Sequence, residues 1–191
     1  MQNETGFVTL ASGNRCARDW GYVSVLDMAW QMGRICRWCG GGEHFWSDML
    51  HSFVVADFVV DALKVYALIH DSPECVGNDV PKTVKSEEHK AMEDLIMDRT
   101  LAHLRLPPLS GRDKDLLKIA DNRARNGEAW VVGNAGNRLS YPDRDYEAEH
   151  LVRHYLKDFP YAETIERSGR GPIAFIQKFH EYRSLRMKHD S

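Results

Sequence analysis

The sequence predicts an all-α fold, a single compact helical bundle over residues 1–191, and three observations carry that expectation. Apolar residues recur at i, i+3 and i+4 through several long stretches, the spacing that gathers them on one helical face. Several of these stretches open on a serine able to cap a helix and stop at glycine or proline. No alternating strand pattern of comparable strength appears, and there is no internal repeat.

Taken in order, the first twenty or so residues hold Gly6, Gly13, Asn14 and Gly21 with little periodicity and read as an irregular arm. Ser24 then caps a helix whose inward face is Val25, Met28, Ala29, Met32, Ile35 and Cys36, stopped by Cys39-Gly40-Gly41-Gly42. Ser47 or Asp48 caps a second, running through His51, Val54, Val55, Phe58 and Val59 toward Asp61. The segment Ala62 to Ile69 is apolar nearly all round, broken only by Lys64, which marks a central buried helix. It ends in His70-Asp71-Ser72-Pro73-Glu74 and a loop carrying Gly77, Asn78, Asp79 and Pro81, so polar chemistry sits at the end of a core helix.

A long helix is expected from about Ser86 to Leu104, with Met92, Leu95, Ile96 and Ala102 inward and Pro107-Pro108 terminating it. Another follows Ser110, turning Leu116, Leu117, Ala120, Ala124 and Val131 inward with Asp121 beside that face. A turn over Gly133 to Pro142 leads to two last helices, near Tyr146 to Asp158 and near Ile173 to Lys188.

Composition narrows the function. The 191 residues, 43% hydrophobic with five Trp, suffice for one core without disulfides. Charged residues make up 28% and nearly balance, for a net charge of -3, so no basic field recruits a nucleic acid polymer. No stretch approaches the roughly 18 apolar residues of a membrane span, and the first residues lack a basic region followed by an apolar run. The expectation is a cytoplasmic protein without a membrane partner. Four scattered cysteines, Cys16, Cys36, Cys39 and Cys75, fit a reducing compartment.

Four residues stand out as metal-ligand candidates: His51 on one helix, His70 and Asp71 at the end of the next, and Asp121 on a third. Two imidazoles and two carboxylates suit one divalent ion such as manganese, cobalt, iron or zinc, with positions left for water and substrate. Neighbours on a helix diverge by about 100°, so His70 and Asp71 meet one ion only off the helix end, which the Ser72-Pro73 break supplies. A lone His-Asp pair arises by chance, and a histidine at a helix start is commonly solvated. Four such residues around the most apolar segment favour a site, since an unpaired aspartate buried there costs several kcal/mol.

The pattern His51, His70-Asp71, Asp121 resembles the HD superfamily of metal-dependent phosphohydrolases. The run Ala67 to Glu74, continuing through Asp79-Val80-Pro81-Lys82-Thr83-Val84-Lys85, is similar to that of bacterial 5'-deoxyribonucleotidases and short phage dATP triphosphohydrolases, as are Ile35-Cys36-Arg37-Trp38 and Lys118-Ile119-Ala120-Asp121. The resemblance covers roughly residues 13 to 135, leaving the helices of 143–188 without a motif.

It implies an all-helical HD domain with one divalent ion (Co, Mn, Zn, Fe or Mg) on His51, His70, Asp71 and Asp121, and a homo-oligomer. Glu74 would assist proton transfer at the leaving oxygen and Asp79 orient the attacking water. Arg37 and Lys85 would hold phosphate, and Trp38 pack on sugar or base. One departure is Leu50, where relatives place a glutamate before the first histidine, so that a partner for the ligand is expected to be missing.

Other patterns are better read as packing or surface. Cys36-x-x-Cys39 has no second pair, His150 and His154 lack the acidic partner of a zinc protease, and Gly40-Gly41-Gly42 lacks the lysine of a phosphate loop. Trp20, Trp30, Trp46 and Trp130 have the means to stack on a base, though packing explains at least Trp30 and Trp130.

Three substrate readings follow. The first is hydrolysis of a deoxynucleoside triphosphate, dATP to deoxyadenosine and triphosphate, for which Arg34, Lys82, Lys118, Arg123 and Arg125 offer extra charge. The second is a 5'-deoxyribonucleotidase on monophosphates. The third is a non-catalytic nucleotide-binding module, which would have no chemical need for Glu74 and Asp79.

Overall fold

Serine hydroxyls cap four of the described helices. The computed structural model describes residues 7–13, 15–17, 21–81, 83–160 and 169–189. A short antiparallel hairpin, β1 (Phe7–Thr9) and β2 (Arg15–Ala17), opens the described chain where an irregular arm was expected, and its turn is tied down by Asp27, whose carboxylate accepts from the Ser12 amide at 2.7 Å. Trp20 lies outside the described residues. The same Asp27 closes a capping box with Ser24 at the start of α1 (Val25–Gln31).

Helix α1 stops at Met32, one turn earlier than the periodicity of Ile35 and Cys36 suggests. Residues 35–37 instead run extended beside 46–48: Cys36 bridges Ser47, the Arg37 amide donates to the Trp46 carbonyl at 2.9 Å, and the Asp48 amide to the Ile35 carbonyl at 3.2 Å. This pairing overrides helical propensity and sets Arg37 against the start of the next helix. Between the two arms a 3-10 turn (Trp38–Gly40) leads into Gly42, whose close approach to the Val132 carbonyl, 2.7 Å from where a Cβ would sit, leaves no room for a side chain.

Ser47 caps α2 (Asp48–Asp57), in which every residue from Asp48 to Ala56 is buried. The all-apolar segment is α3 (Asp61–Ile69), buried at seven of its nine positions, and it packs between α2 and the last helix, α9 (Arg170–His189). The Pro73 break leads into the short α4 (Glu74–Gly77).

Ser86 caps α5 (Glu87–Leu104). Its inward face is Ile96, Thr100, Leu101 and Leu104, whereas Leu95 and Ala102, expected inside, are exposed. The threonine is core because its hydroxyl accepts from the Val23 amide at 3.0 Å, satisfying a buried donor. Ser110 caps α6 (Gly111–Val131), which is buried only in its second half; Leu116 and Ile119 in the first half face outward at 40% and 58% exposure, so Leu116 too is not core.

The expected turn over Gly133 to Pro142 contains a short helix, α7 (Ala135–Ser140), where Asn134 and Asn137 build a capping box in place of the usual serine and glutamate. Helix α8 (Tyr146–Asp158) matches its expected bounds and lies along α6. Gly127 makes that approach possible, since a Cβ there would meet Ala148 Cβ at 2.5 Å and its carbonyl carbon at 2.6 Å. The helices share one contiguous hydrophobic core.

Candidate metal centre

His51 projects from α2 at zero exposure, His70 and Asp71 stand just past the end of α3, and Asp121 projects from the buried half of α6. The four residues picked out in the sequence come together. His51 Nε2 lies 3.2 Å from Asp121 Oδ1 and 3.6 Å from Asp71 Oδ2, and His70 Nε2 lies 3.2 Å from Asp71 Oδ1. One donor atom each from His51, His70 and Asp121 falls within a span of 4.8 Å. Three inward atoms, His51 Nε2, His70 Nε2 and Asp121 Oδ1, are buried with no partner outside the cluster, His51 Nε2 and Asp121 Oδ1 facing each other and His70 Nε2 facing Asp71. Polar atoms so placed are rare inside proteins, and three converging on one point fit a shared divalent cation.

The imidazoles are oriented from behind. His70 Nδ1 meets the Ala67 carbonyl at 2.8 Å, and His51 Nδ1 meets Glu128 Oε1 at 2.6 Å, so each ring presents Nε2 inward. Glu128 supplies the partner that Leu50 was expected to leave missing. Leu50 itself is core at 1% exposure. Glu128 is fully buried two helical turns beyond Asp121 on α6, a spacing of seven that returns it to the same face.

Asp48, one turn before His51, is the second acid not singled out in the sequence. It reads there as one of two candidate caps, yet Ser47 is the cap and the Asp48 side chain has zero exposure. Arg37 answers both acids. Its Nη1 donates to Asp48 Oδ1 and Asp71 Oδ2 at 3.2 Å each, and its Nε to Glu128 Oε2 at 3.2 Å. Expected to hold phosphate, Arg37 is mainly an internal cation that fixes three carboxylates.

These neighbours set the charge states. Burial and Arg37 oppose a proton on His51, but Glu128 and Asp121 overcome both and lift its pKa to about 9. Burial would raise Asp121, and the His51 contact holds it well below the usual carboxylate range. Burial lowers His70. Glu74 is the opposite case: burial, reinforced by Asp71 and Asp48, pushes it up to about 12, so without a cation it stays protonated at neutral pH.

His70, Asp71 and Asp121 line a cavity of about 590 Å³, whose walls also include Trp38, Glu74, Asp79, Lys85, Asn137 and Tyr141. Trp38 and Cys39 both adopt left-handed backbone, φ 61° and 51°, and this uncommon turn sets the Trp38 ring edge-on to Tyr141 at 5.4 Å. Lys85 reaches the cavity but bonds Glu93 at 2.7 and 2.9 Å. Tyr141 and Asn137 carried no signal in the sequence because the local pattern there is a turn.

Of the additional cations proposed for a polyphosphate, Arg125 alone among the described residues lines this cavity, and it is paired with Asp121. Arg123 pairs with Asp145 and Glu147, Lys118 is exposed on α6 away from the cavity, and Arg34 donates to the Trp30 carbonyl. Lys82 lies outside the described residues. Cys36, Cys39 and Cys75 are free thiols, and His150 and His154 are exposed on α8. Trp46 is fully buried, and Trp130 donates to the Tyr141 carbonyl at 3.1 Å. Among the described residues no helix is long and apolar enough to cross a membrane.

No family model matches the chain. A stretch of 119 residues is 28% identical to the uncharacterized protein YfdR of Escherichia coli strain K12, covering 58% of this chain and 67% of that protein.

Proposed function

We propose that the protein is a metal-dependent phosphohydrolase of the HD type that cleaves a deoxynucleotide at its α-phosphate. The observation that carries this reading is the convergence of buried His51, His70 and Asp121 donor atoms beside Asp71, with His70, Asp71 and Asp121 opening on a cavity with room for a nucleotide. The deoxynucleotide comes from the resemblance to deoxynucleotide hydrolases in the residues around His70-Asp71.

A divalent ion held by these four residues supplies Lewis acidity toward a phosphoryl oxygen and lowers the pKa of water. The chain's own groups do the rest. Glu74, on the cavity wall three residues after Asp71, would give a proton to the departing 5'-oxygen while water adds at phosphorus and the P–O5' bond breaks. Asp79, half-buried on the same wall, orients that water. Lys85 binds phosphate after exchanging its bond to Glu93, and Trp38 with Tyr141 encloses the sugar and base.

The substrate we put first is dATP, giving deoxyadenosine and triphosphate. A specific observation favours the monophosphatase reading as the alternative: beyond Arg37 and Lys85, Arg125 is the one further described cation on the cavity wall, and Asp121 already holds it. The test is incubation of metal-loaded protein with the four dNTPs, the four dNMPs and ATP, resolving nucleoside, triphosphate and orthophosphate. Deoxyadenosine plus triphosphate from dATP supports the first substrate, and orthophosphate from monophosphates the second. No turnover with any common divalent metal would overturn the hydrolase and leave a nucleotide-binding module.

A further inference from the structure

Helix α7 and the residue after it bring only uncharged groups to the cavity, Asn137, Ser140 and Tyr141, whereas other walls carry its acids and cations. Arg138, the charged residue of this helix, does not line the cavity; it donates to Glu43 Oε2 and to the Gly133 carbonyl, each at 2.9 Å. The helix start is tied to the Trp38 turn. Asn134 Nδ2 donates to the Gly41 carbonyl at 2.7 Å, and the Gly41 amide to the Trp38 carbonyl at 2.8 Å.

The capping box decides which end of the Asn137 side chain is free. Its Oδ1 accepts from the Asn134 amide at 2.8 Å, and a backbone N–H identifies that atom as the oxygen. What remains is Nδ2, a pure donor with no partner among the described residues. Ser140 is committed the other way: its hydroxyl donates to the Gly136 carbonyl at 3.1 Å, which leaves the oxygen as an acceptor. Residues three apart are neighbours on a helix, so a donor and an acceptor of set polarity stand side by side on this wall.

We propose that α7 reads the base of the substrate, with Asn137 as the specificity-determining donor and Ser140 as its complementary acceptor. The assignment rests on the phosphohydrolase reading, which sends the phosphate to the charged walls and leaves the uncharged base for the uncharged one. The resemblance to known hydrolases ends near residue 135 and so does not reach Asn137 or Ser140. Bases differ in the order of donors and acceptors along their edges. Adenine carries a ring nitrogen that accepts next to an amino group that donates, which matches Asn137 and Ser140 in turn. Hypoxanthine puts an acceptor where that amino group stood, so Ser140 would face it with no proton between them.

The test is binding of deoxyadenosine and deoxyinosine to the full-length protein, followed by tryptophan fluorescence, beside hydrolysis of dATP and dITP. Neither nucleoside carries phosphate, so turnover and charge repulsion do not enter the comparison. The wild type is expected to favour deoxyadenosine about tenfold, the size of one mispaired hydrogen bond. Asn137→Asp keeps an oxygen to cap the helix and loses the donor; with circular dichroism unchanged, it should erase that preference, and Ser140→Ala should reduce it. Equal affinities in the wild type, no binding of either nucleoside, or a preference that both folded variants retain overturns the base reader. If dATP is still hydrolysed in that case, the proposed function stands without it. A preference that the Asn137 variant loses, with no nucleotide hydrolysed by the wild type, supports the base reader and sinks the hydrolase.

Discussion

On one side of the cavity, α2, α3 and the second half of α6 bury every residue from Asp48 to Ala56 and hold His51 and Glu128 at zero exposure; on the other, α5, α7 and the segment before α5 leave Lys85, Glu93, Asn137 and Tyr141 half-buried. The first wall is fixed by packing on all sides, so its donor atoms stand in place before anything binds. The second is held by ion pairs and helix caps, such as Lys85–Glu93 and Asn134–Asn137, rather than by apolar packing on all sides. Rigid ligands beside an adjustable wall suit a site that must fix a metal and admit a bulky anion.

The comparison breaks most completely at Asp71, which contacts His51, His70 and Arg37 together. Asp71→Ala should remove metal binding at equilibrium dialysis and reduce hydrolysis to background while leaving the helical spectrum intact. Glu128→Ala tests the rigid wall next, because it strands His51 and Arg37 without their buried acid. Losing one partner of a buried ion pair costs about 3–5 kcal/mol, and at roughly 2–4 °C per kcal/mol for a chain of this size thermal unfolding should fall by about 10 °C.

Gly127→Ala perturbs the same wall without touching a charge. The added methyl would press on Ala148 at 2.5 Å, so α6 and α8 must separate, at about 1–3 kcal/mol. A stability within error of the wild type would mean the two helices are less tightly docked than their geometry requires. The smallest effect belongs to the soft wall. Glu93→Gln frees Lys85 and should lower KM for the nucleotide about fivefold, the equivalent of ~1 kcal/mol, with kcat and melting temperature unmoved.

The same division governs how much could be read from the sequence. Helices α2, α3 and α8 were legible because burial forces apolar runs and strong periodicity there, and His51, His70, Asp71 and Asp121, which the structure brings together, stood out as polar residues around the most apolar segment. The donors behind them were not. Asp48 looks like any acid in a first turn, and Glu128 betrays itself only as a carboxylate seven residues beyond Asp121 on a face that also carries Ala124 and Val131. On the soft wall periodicity misled: Leu95, Ala102 and Leu116 are exposed, since α5 and the start of α6 have too few neighbours to bury a full stripe. The capping box of α7 and the hairpin β1–β2 rest on local asparagine and backbone hydrogen bonds that leave no hydrophobic trace.

Arg37 separates folding from metal acquisition. Many small metal proteins stay unfolded until their ion arrives, because nothing else offsets the ligands they must bring together. Here a guanidinium that never loses its charge sits among Asp48, Asp71 and Glu128 from the moment the core closes. Closing the core therefore does not depend on a transition metal, and the ion proposed for this site would be a replaceable part: removing it with a chelator should end the proposed hydrolysis while the circular dichroism stays unchanged, and restoring it should bring activity back without refolding.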